Sequence, residues 1–216
     1  AQTRGWFYTL MVLATALFDK NPFKNCICHG VVLDEDKAKL SKSKSNYPDP
    51  KEVFDTFGSD CLRWYMVSSP LMNGGDLSIS HDGKEIGQTR NQIVNPIWNA
   101  YSFFTLYANA DGIKGNLIAP DQVTNTLDKY ILGKIHQLVQ SVETHLDNYE
   151  IPAACDEIQE FLGALTNWYI RRSRDRFWKA EKDKDKQQAY DTLYTALTTL
   201  CKVAAPFLPF VTEKVY

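Results

Sequence analysis

What the sequence lacks narrows its function before any motif is read. It has no long apolar run. The richest stretch, Thr9 to Phe18, falls well short of the ~20 residues a membrane helix needs, and no leader-like segment is present, so membrane association is not expected. The five cysteines, Cys26, Cys28, Cys61, Cys155 and Cys201, contain no Cys-x-x-Cys pair and no zinc spacing. Their odd number and scatter fit reduced thiols in a cytoplasmic protein, with no protein-bound metal. The histidines, His29, His81, His136 and His145, show no His-x-x-His spacing, and no Ser-His-Asp set suggests covalent catalysis. An excess of positive charge is also missing. With 24 Lys and Arg against 26 Asp and Glu the net charge is -2, so no global basic field draws in nucleic acid and any RNA contact must come from a local patch. No internal repeat or low-complexity tract is present.

What is there suits a globular protein. The 216 residues are 44% hydrophobic and 23% charged, enough for one large or two small domains. Trp6, Leu10, Leu13 and Leu17 form a helical stripe with Phe7, Met11, Ala14 and Phe18 beside it, which predicts a helix buried on two faces against a sheet. Cys26 to Leu33 is apolar except for His29, the pattern of a central parallel strand buried on both faces, with Cys26 and Cys28 packed in the core. Asp49-Pro50-Lys51-Glu52 is a helix start and Gly58 a stop; Ser59 caps a second helix that runs until Pro70. Asp76 to Ser80 alternates as a short strand. From Glu85 onward only helices are predicted. The first, Ile86 to Ala110, bends near Asn95-Pro96; the stripes Leu127 to Leu146, Ala154 to Trp168 and Leu193 to Ala204 follow, and a last helix begins at Pro209. Both ends read as cut from a longer protein, and the sequence leaves open whether Ala1 is native.

Two stretches carry chemistry. Lys39-Leu40-Ser41-Lys42-Ser43-Lys44 follows the predicted strand and an acidic turn, Asp34-Glu35-Asp36. Two lysines three apart among hydroxyl residues form a cationic loop that can lie over a polyphosphate, where it stabilises charge developing in a transition state. The plain alternative is a solvated Lys/Ser turn. His29 can equally be a near-core histidine, and Trp6 pure core. In the second stretch, Trp168 to Lys179, Arg171, Arg174 and Trp178 share a helical face, with Arg172 and Trp168 adjacent. Arginines clasp phosphates and exposed aromatics stack on unpaired bases. The alternative is a helix end whose arginines pair with Asp175, Glu181 and Asp183. The alternating Lys182 to Lys186 reads as a solvated turn.

Together, Gln2-Thr3-Arg4-Gly5-Trp6-Phe7, His29-Gly30, Lys39 to Ser43, Asn46 to Pro50, Phe57 to Arg63 and Asn167 to Arg172 resemble, in order and along essentially the whole chain, the second half of class I aminoacyl-tRNA synthetases. The Gln-x-Arg-Gly-Trp-Phe run is similar to the isoleucine-specific branch. The lysine loop resembles that family's KMSKS loop, with Leu40 where methionine is usual. The resemblance implies a mainly α chain: a helical anticodon-binding bundle preceded by a small α/β remnant of a Rossmann-type catalytic domain. Its divisions would be 1–47 for the catalytic end, 48–84 for a connector and 85–216 for the bundle. It implies amino-acid activation with ATP and Mg2+ as substrate, transfer of isoleucine to tRNA-Ile, a monomer, and no membrane. Carried over by position, Lys39 and Lys42 would hold the departing pyrophosphate and Ser41 and Ser43 would tether the loop. His29, Gly30 and the backbone at Val32 would border adenine and ribose. Gln2 would contact the aminoacyl-adenylate and Trp6 would wall the isoleucine pocket. Trp168, Arg171, Arg172, Arg174 and Trp178 would meet the tRNA. Two departures stand out: Ala1 occupies the place of a usual acidic residue, and no HIGH-type signature is present, so this segment is expected to be inactive alone. The rival reading is a non-catalytic tRNA-binding or scaffold module.

Overall fold

The computed structural model describes residues 3–41 and 43–216. The first helix, α1 (Trp6–Phe18), forms where the Leu, Met and Ala content predicts it and ends at Asp19 in the left-handed region (φ 51°). Its expected burial does not follow. No residue of α1 is buried, and Trp6 and Phe18 are 80% and 70% exposed, because no sheet among the described residues covers it. The strand expectation is corrected for the same reason. Only Val32–Leu33 (β1) pairs, in parallel with Leu77–Ser78 (β2), in the register Val32 to Leu77 and Leu33 to Ser78. A central parallel strand needs neighbours on both edges and layers on both faces, and here a single neighbour is present. Residues 26–29 are therefore exposed. Cys26 and Cys28, expected in the core, lie at the surface with their sulfurs 3.7 Å apart.

Residues 48–84 follow their sequence signals closely. Asp49 accepts the Lys51 N–H at 2.7 Å, Pro50 opens α2 (Pro50–Phe57), and Gly58 at φ 87° ends it, a backbone state that L side chains adopt only with strain. Helix α3 (Ser59–Val67) starts directly after Gly58, one residue ahead of the predicted Ser59 cap. The Ser69 hydroxyl caps a 3₁₀ turn, Pro70–Asn73, and β2 then alternates inward and outward, Leu77 and Ile79 buried and Ser78 exposed. Val53, Cys61, Ile79 and Ile86 form a small core of their own.

The remaining helices are α4 (Lys84–Thr89), α5 (Asn95–Asp111), α6 (Thr126–Asp147), α7 (Ile151–Gly163), α8 (Arg171–Trp178), α9 (Lys184–Ala204) and α10 (Pro209–Val215). Helices α5 to α10 close on one large core that includes Ile97, Ile131, Ile158, Tyr190 and Leu193, and Trp64 reaches into it from α3, while Ile86 of α4 belongs to the small core. Burying each such side chain contributes about 1.5–3 kcal/mol. The bend predicted at Asn95-Pro96 appears as a π-helical turn, Arg90–Val94, linking α4 to α5. Pro96 has no N–H to continue the ladder, so the preceding turn widens.

A second π turn, Ala164–Ile170, joins α7 to α8 and changes one expectation. Extrapolating the stripe from Leu165 by three residues places Trp168 in the core. The wider turn instead buries Tyr169 and Ile170 and leaves Trp168 43% exposed. The Lys182–Lys186 turn is also corrected. Asp183 caps α9, accepting the Lys186 N–H at 2.8 Å. Lys186 is only 1% exposed, its ammonium donating to Asp111 and to the Lys179 carbonyl, each at 2.6 Å.

Candidate functional site

The lysine loop is built on a closed neck. As the chain leaves β1, the Asp34 N–H donates to the Ala38 carbonyl (2.9 Å), and Leu33 bridges Lys39 in antiparallel fashion. One Asp34 oxygen accepts the Ala38 N–H at 2.7 Å and the other accepts the Asn46 side-chain amide at 2.6 Å. The Asn46 carbonyl oxygen in turn accepts the Ser41 N–H at 2.8 Å. Asn46 thus staples the outgoing strand to the return of the loop. These donors, Asn46 foremost, hold the Asp34 carboxyl below its ordinary value. The Ser41 and Ser43 hydroxyls hydrogen-bond each other at 2.8 Å, and Lys39 is exposed. Lys42 and Gln2 lie outside the described residues.

His29, Gly30, Val32 and Lys39 line one side of a cleft of about 950 Å³, with Leu62 and Met66 of α3 and Phe210 of α10 on the other. Four of the predicted nucleotide-side residues therefore share one surface. His29 is not a core histidine: its ring is exposed and its Nδ1 donates to the Gly30 carbonyl at 2.7 Å. Gly30 is also required by the packing of the chain. A Cβ there would sit 1.7 Å from the Gly75 carbonyl oxygen, so the close approach it permits is chain against chain. Trp6 stands apart from this group, on the exposed helix α1.

The second surface is α8. Arg171, Arg172 and Arg174 are exposed, as is Trp178 at 54%. The Arg172 guanidinium stacks 3.9 Å over the Trp168 ring. The inward side of α8 is fixed by Phe177, whose ring meets Phe103 and Tyr190 edge-on at 5.0 Å each. Among the described residues Arg171 and Arg174 make no ion pair; the expected partner Asp183 is taken by Lys179 at 2.6 Å. The arginine that does pair is Arg176, which the sequence reading did not single out. It forks onto Asp128 at 2.7 and 2.8 Å and also reaches Asp185, while the Tyr169 hydroxyl donates to Asp128 at 2.8 Å. Burial, with Asp128 beside it, pushes the Tyr169 hydroxyl well above its usual range. Burial alone would raise Asp185, but Arg176, joined by Lys179 and Asn125, outweighs it and holds the carboxyl low. No local signal in the sequence marks Asp128 and Arg176 as partners, since the pair is closed by tertiary packing. Among the described residues no cluster of three or more His, Cys, Asp or Glu side chains could hold a metal, and no helix is long and apolar enough to cross a membrane.

Residues 1–80 match the family of tRNA synthetases class I (I, L, M and V), and residues 128–216 match the anticodon-binding domain of tRNA ligase. Over all 216 residues the chain is 54% identical to the isoleucine–tRNA ligase of Rickettsia canadensis and 50% identical to that of Wolbachia pipientis wMel. It spans about a fifth of those relatives, 20% and 19% of their lengths. Its fold is similar to the LeuRS in the ternary complex of Agrobacterium radiobacter K84 LeuRS, tRNA and LeuAMS. There the TM-score is 0.72 at 19% identity, covering 96% of this chain and 24% of that one. It is also similar to Mycobacterium tuberculosis methionyl-tRNA synthetase with methionyl-adenylate, with a TM-score of 0.68 at 21% identity over 87% of this chain and 36% of that one. With the lysine loop in the first matched segment and the arginine helix in the second, the chain belongs to the class I tRNA synthetases of the I, L, M and V family, as a segment that groups with the isoleucine–tRNA ligases.

Proposed function

We propose that this segment carries the KMSKS side of the active site, the connector and most of the anticodon-binding bundle of an enzyme that charges tRNA-Ile with isoleucine. The observation that supports the reading best is identity of 50–54% sustained over the whole chain with proteins named isoleucine–tRNA ligase. In this reading residues 1–47 close the catalytic domain, 48–84 connect, and 85–216 bind the anticodon arm. The enzyme is a cytoplasmic monomer.

The isoleucine carboxylate attacks the α-phosphate of ATP, supplied with Mg2+ as the substrate complex, and pyrophosphate departs. The aminoacyl group then moves to the terminal ribose of the tRNA. Such chemistry depends on positioning and charge neutralisation more than on a protein nucleophile. Lys39 and Lys42 receive the charge that builds on the departing phosphates, and the paired Ser41 and Ser43 hydroxyls hold the loop that carries them. His29 and the backbone at Val32 border adenine and ribose, with Gly30 setting the strand end against Gly75. Gln2 contacts the adenylate and Trp6 walls the isoleucine side chain. Trp168, Arg171, Arg172, Arg174 and Trp178 meet the anticodon stem and loop.

The test uses the whole protein from which the segment derives. Isoleucine-dependent exchange of pyrophosphate into ATP and charging of tRNA-Ile are expected. The isolated segment should give no exchange, because the HIGH-type half of the site is not in it. A whole protein that binds tRNA-Ile without isoleucine-dependent exchange would instead be a non-catalytic RNA-binding module.

A further inference from the structure

The run Gly58 to Arg63 carries part of the family resemblance, yet no step above uses it. Its side chains do something specific. Asp60 is 7% exposed; with Arg63 it borders the same cleft as His29 and Lys39, and its carboxylate is committed to the last helix. One of its oxygens accepts the Val211 N–H at 2.7 Å and the other the Phe210 N–H at 3.3 Å, so it caps the start of α10 from 151 and 150 positions away. One turn further along α3, the Arg63 guanidinium closes a fork on the Pro206 carbonyl, at 2.8 and 3.1 Å, just past the end of α9. The ring of Trp64, next in the chain, packs edge-on against Phe207 at 6.1 Å. One helix thus satisfies the N-terminal donors of α10 and an acceptor beyond the end of α9, and fills the space between them.

The placement of this clamp matters more than its strength. The lysine loop returns through Asn46 and, within a few residues, enters α2 at its Asp49 cap; α3 follows α2 directly across Gly58. Helix α9 packs along α8, which bears the arginine face, and the inward side of α8 touches α9 through Phe177 and Tyr190. The α3 clamp therefore joins the element that follows the loop to the element that backs the RNA face.

We propose that Asp60 and Arg63 are positioning residues for the tRNA-dependent step, fixing the anticodon-binding bundle relative to the lysine loop so that a tRNA held on the bundle delivers its terminal ribose to the adenylate. The proposal rests on the ligase reading above. In that reading the polar atoms of both residues are bound to Pro206, Phe210 and Val211 rather than to ATP or isoleucine, so the first half-reaction depends on the clamp less than transfer does. A misplacement of about 1 Å can cost a reaction on the order of 10²-fold, and the effect here falls mainly on transfer.

The experiment compares whole wild-type enzyme with Asp60→Ala, Asp60→Asn and Arg63→Gln. Isoleucine-dependent pyrophosphate exchange should lose clearly less than charging. The kcat/KM for charging tRNA-Ile should fall about 10-fold or more for Asp60→Ala and Arg63→Gln. Asp60→Asn keeps one acceptor oxygen and should recover part of the loss. If charging keeps pace with exchange in every variant, the clamp has no positioning role. If exchange and charging fall together even in Arg63→Gln, whose side chain is exposed and whose loss leaves the fold standing, the clamp supports only the fold. Failure of the wild-type protein to charge tRNA-Ile would instead overturn the ligase reading.

Discussion

Removing the Asp128 carboxylate tests whether the exposed arginine face is held by what lies beneath it. Asp128 has no exposure and binds both terminal nitrogens of Arg176, itself only 12% exposed at its side chain, as well as the Tyr169 hydroxyl. Asp128→Ala strands a guanidinium that water reaches poorly, and breaking one side of such a buried pair costs about 3–5 kcal/mol. The Tyr169 hydroxyl loses its best acceptor, which adds about 1 kcal/mol or more. Asp185 still faces Arg176 and recovers part of this, so a net loss of ~3 kcal/mol is expected. With a urea dependence of about 1–3 kcal/mol per molar, the unfolding midpoint should fall by at least ~1 M, read by circular dichroism on the chain. The double variant Asp128→Leu/Arg176→Met removes both charges and should recover much of the loss, because apolar replacement of a whole buried pair is often close to neutral. A midpoint unchanged in Asp128→Ala, or a double variant as unstable as the sum of its singles, would refute the claim that the pair is coupled and desolvated.

Three further outcomes are expected. Lys42→Ala in the whole enzyme should slow adenylate formation by about 10²-fold or more with a smaller change in isoleucine KM; a change confined to KM would make the lysine a ground-state contact. Arg171→Ala and Arg174→Ala should each weaken tRNA-Ile binding and lower the log–log salt slope by about 1, with helix content intact; unchanged affinity and slope in both would move the RNA surface elsewhere on the bundle. Asp34 has a folded pKa below its unfolded one, so its support of the loop neck is fully present above the unfolded value, about 3.9, and is lost as pH falls through the folded value. Asn46→Ala should raise the Asp34 titration toward that ordinary value in a carboxyl-resolved NMR titration, and no rise would remove Asn46 as the cause.

Local signals were legible wherever a short stretch settles its own geometry. The Asp49 cap, Pro50, the Gly58 stop and the stripe from Leu127 to Leu146 all appear where the residues predict them, because capping and amphipathic burial act within a few turns. What failed needed information from outside the stretch. The apolar run Cys26 to Leu33 reads as a buried strand by composition, but burial requires neighbours that the described residues do not supply. Trp168 was misplaced by a π turn that no three-or-four-residue rule contains. Within the candidate site, residue type and spacing single out the lysines, His29 and the arginine face, and of these Lys39, His29, Arg171, Arg172 and Arg174 lie at the surface. Asp34 with Asn46, Asp60 with Val211, and Arg176 with Asp128 were not legible, since each pairing is decided by tertiary packing or by the closing of a loop.

A chain of net charge -2 can still offer RNA a cationic surface, because its charges are allocated by depth. Around α8 several acidic side chains are engaged by cations other than Arg171, Arg172 and Arg174: Asp128 and Asp185 face Arg176, Asp183 takes Lys179, and Asp111 takes the buried Lys186, while Asp175 and Glu181 are exposed. Those pairs leave Arg171, Arg172 and Arg174 at the surface, with Trp168 and Trp178 flanking them. At physiological salt screening acts over about 8 Å, so under the proposed function a phosphate arriving at α8 would respond to the local set of three arginines and Asp175 rather than to the chain's net charge. The same pairs set the rotation of α8. The Arg176 fork on Asp128 and the burial of Phe177 admit one register of the helix, and in that register positions 171, 174 and 178 face outward. A buried pair of this kind adds little net stability against apolar residues of equal size, and its value here lies in specificity. It fixes which arginine the core consumes and which remain at the surface.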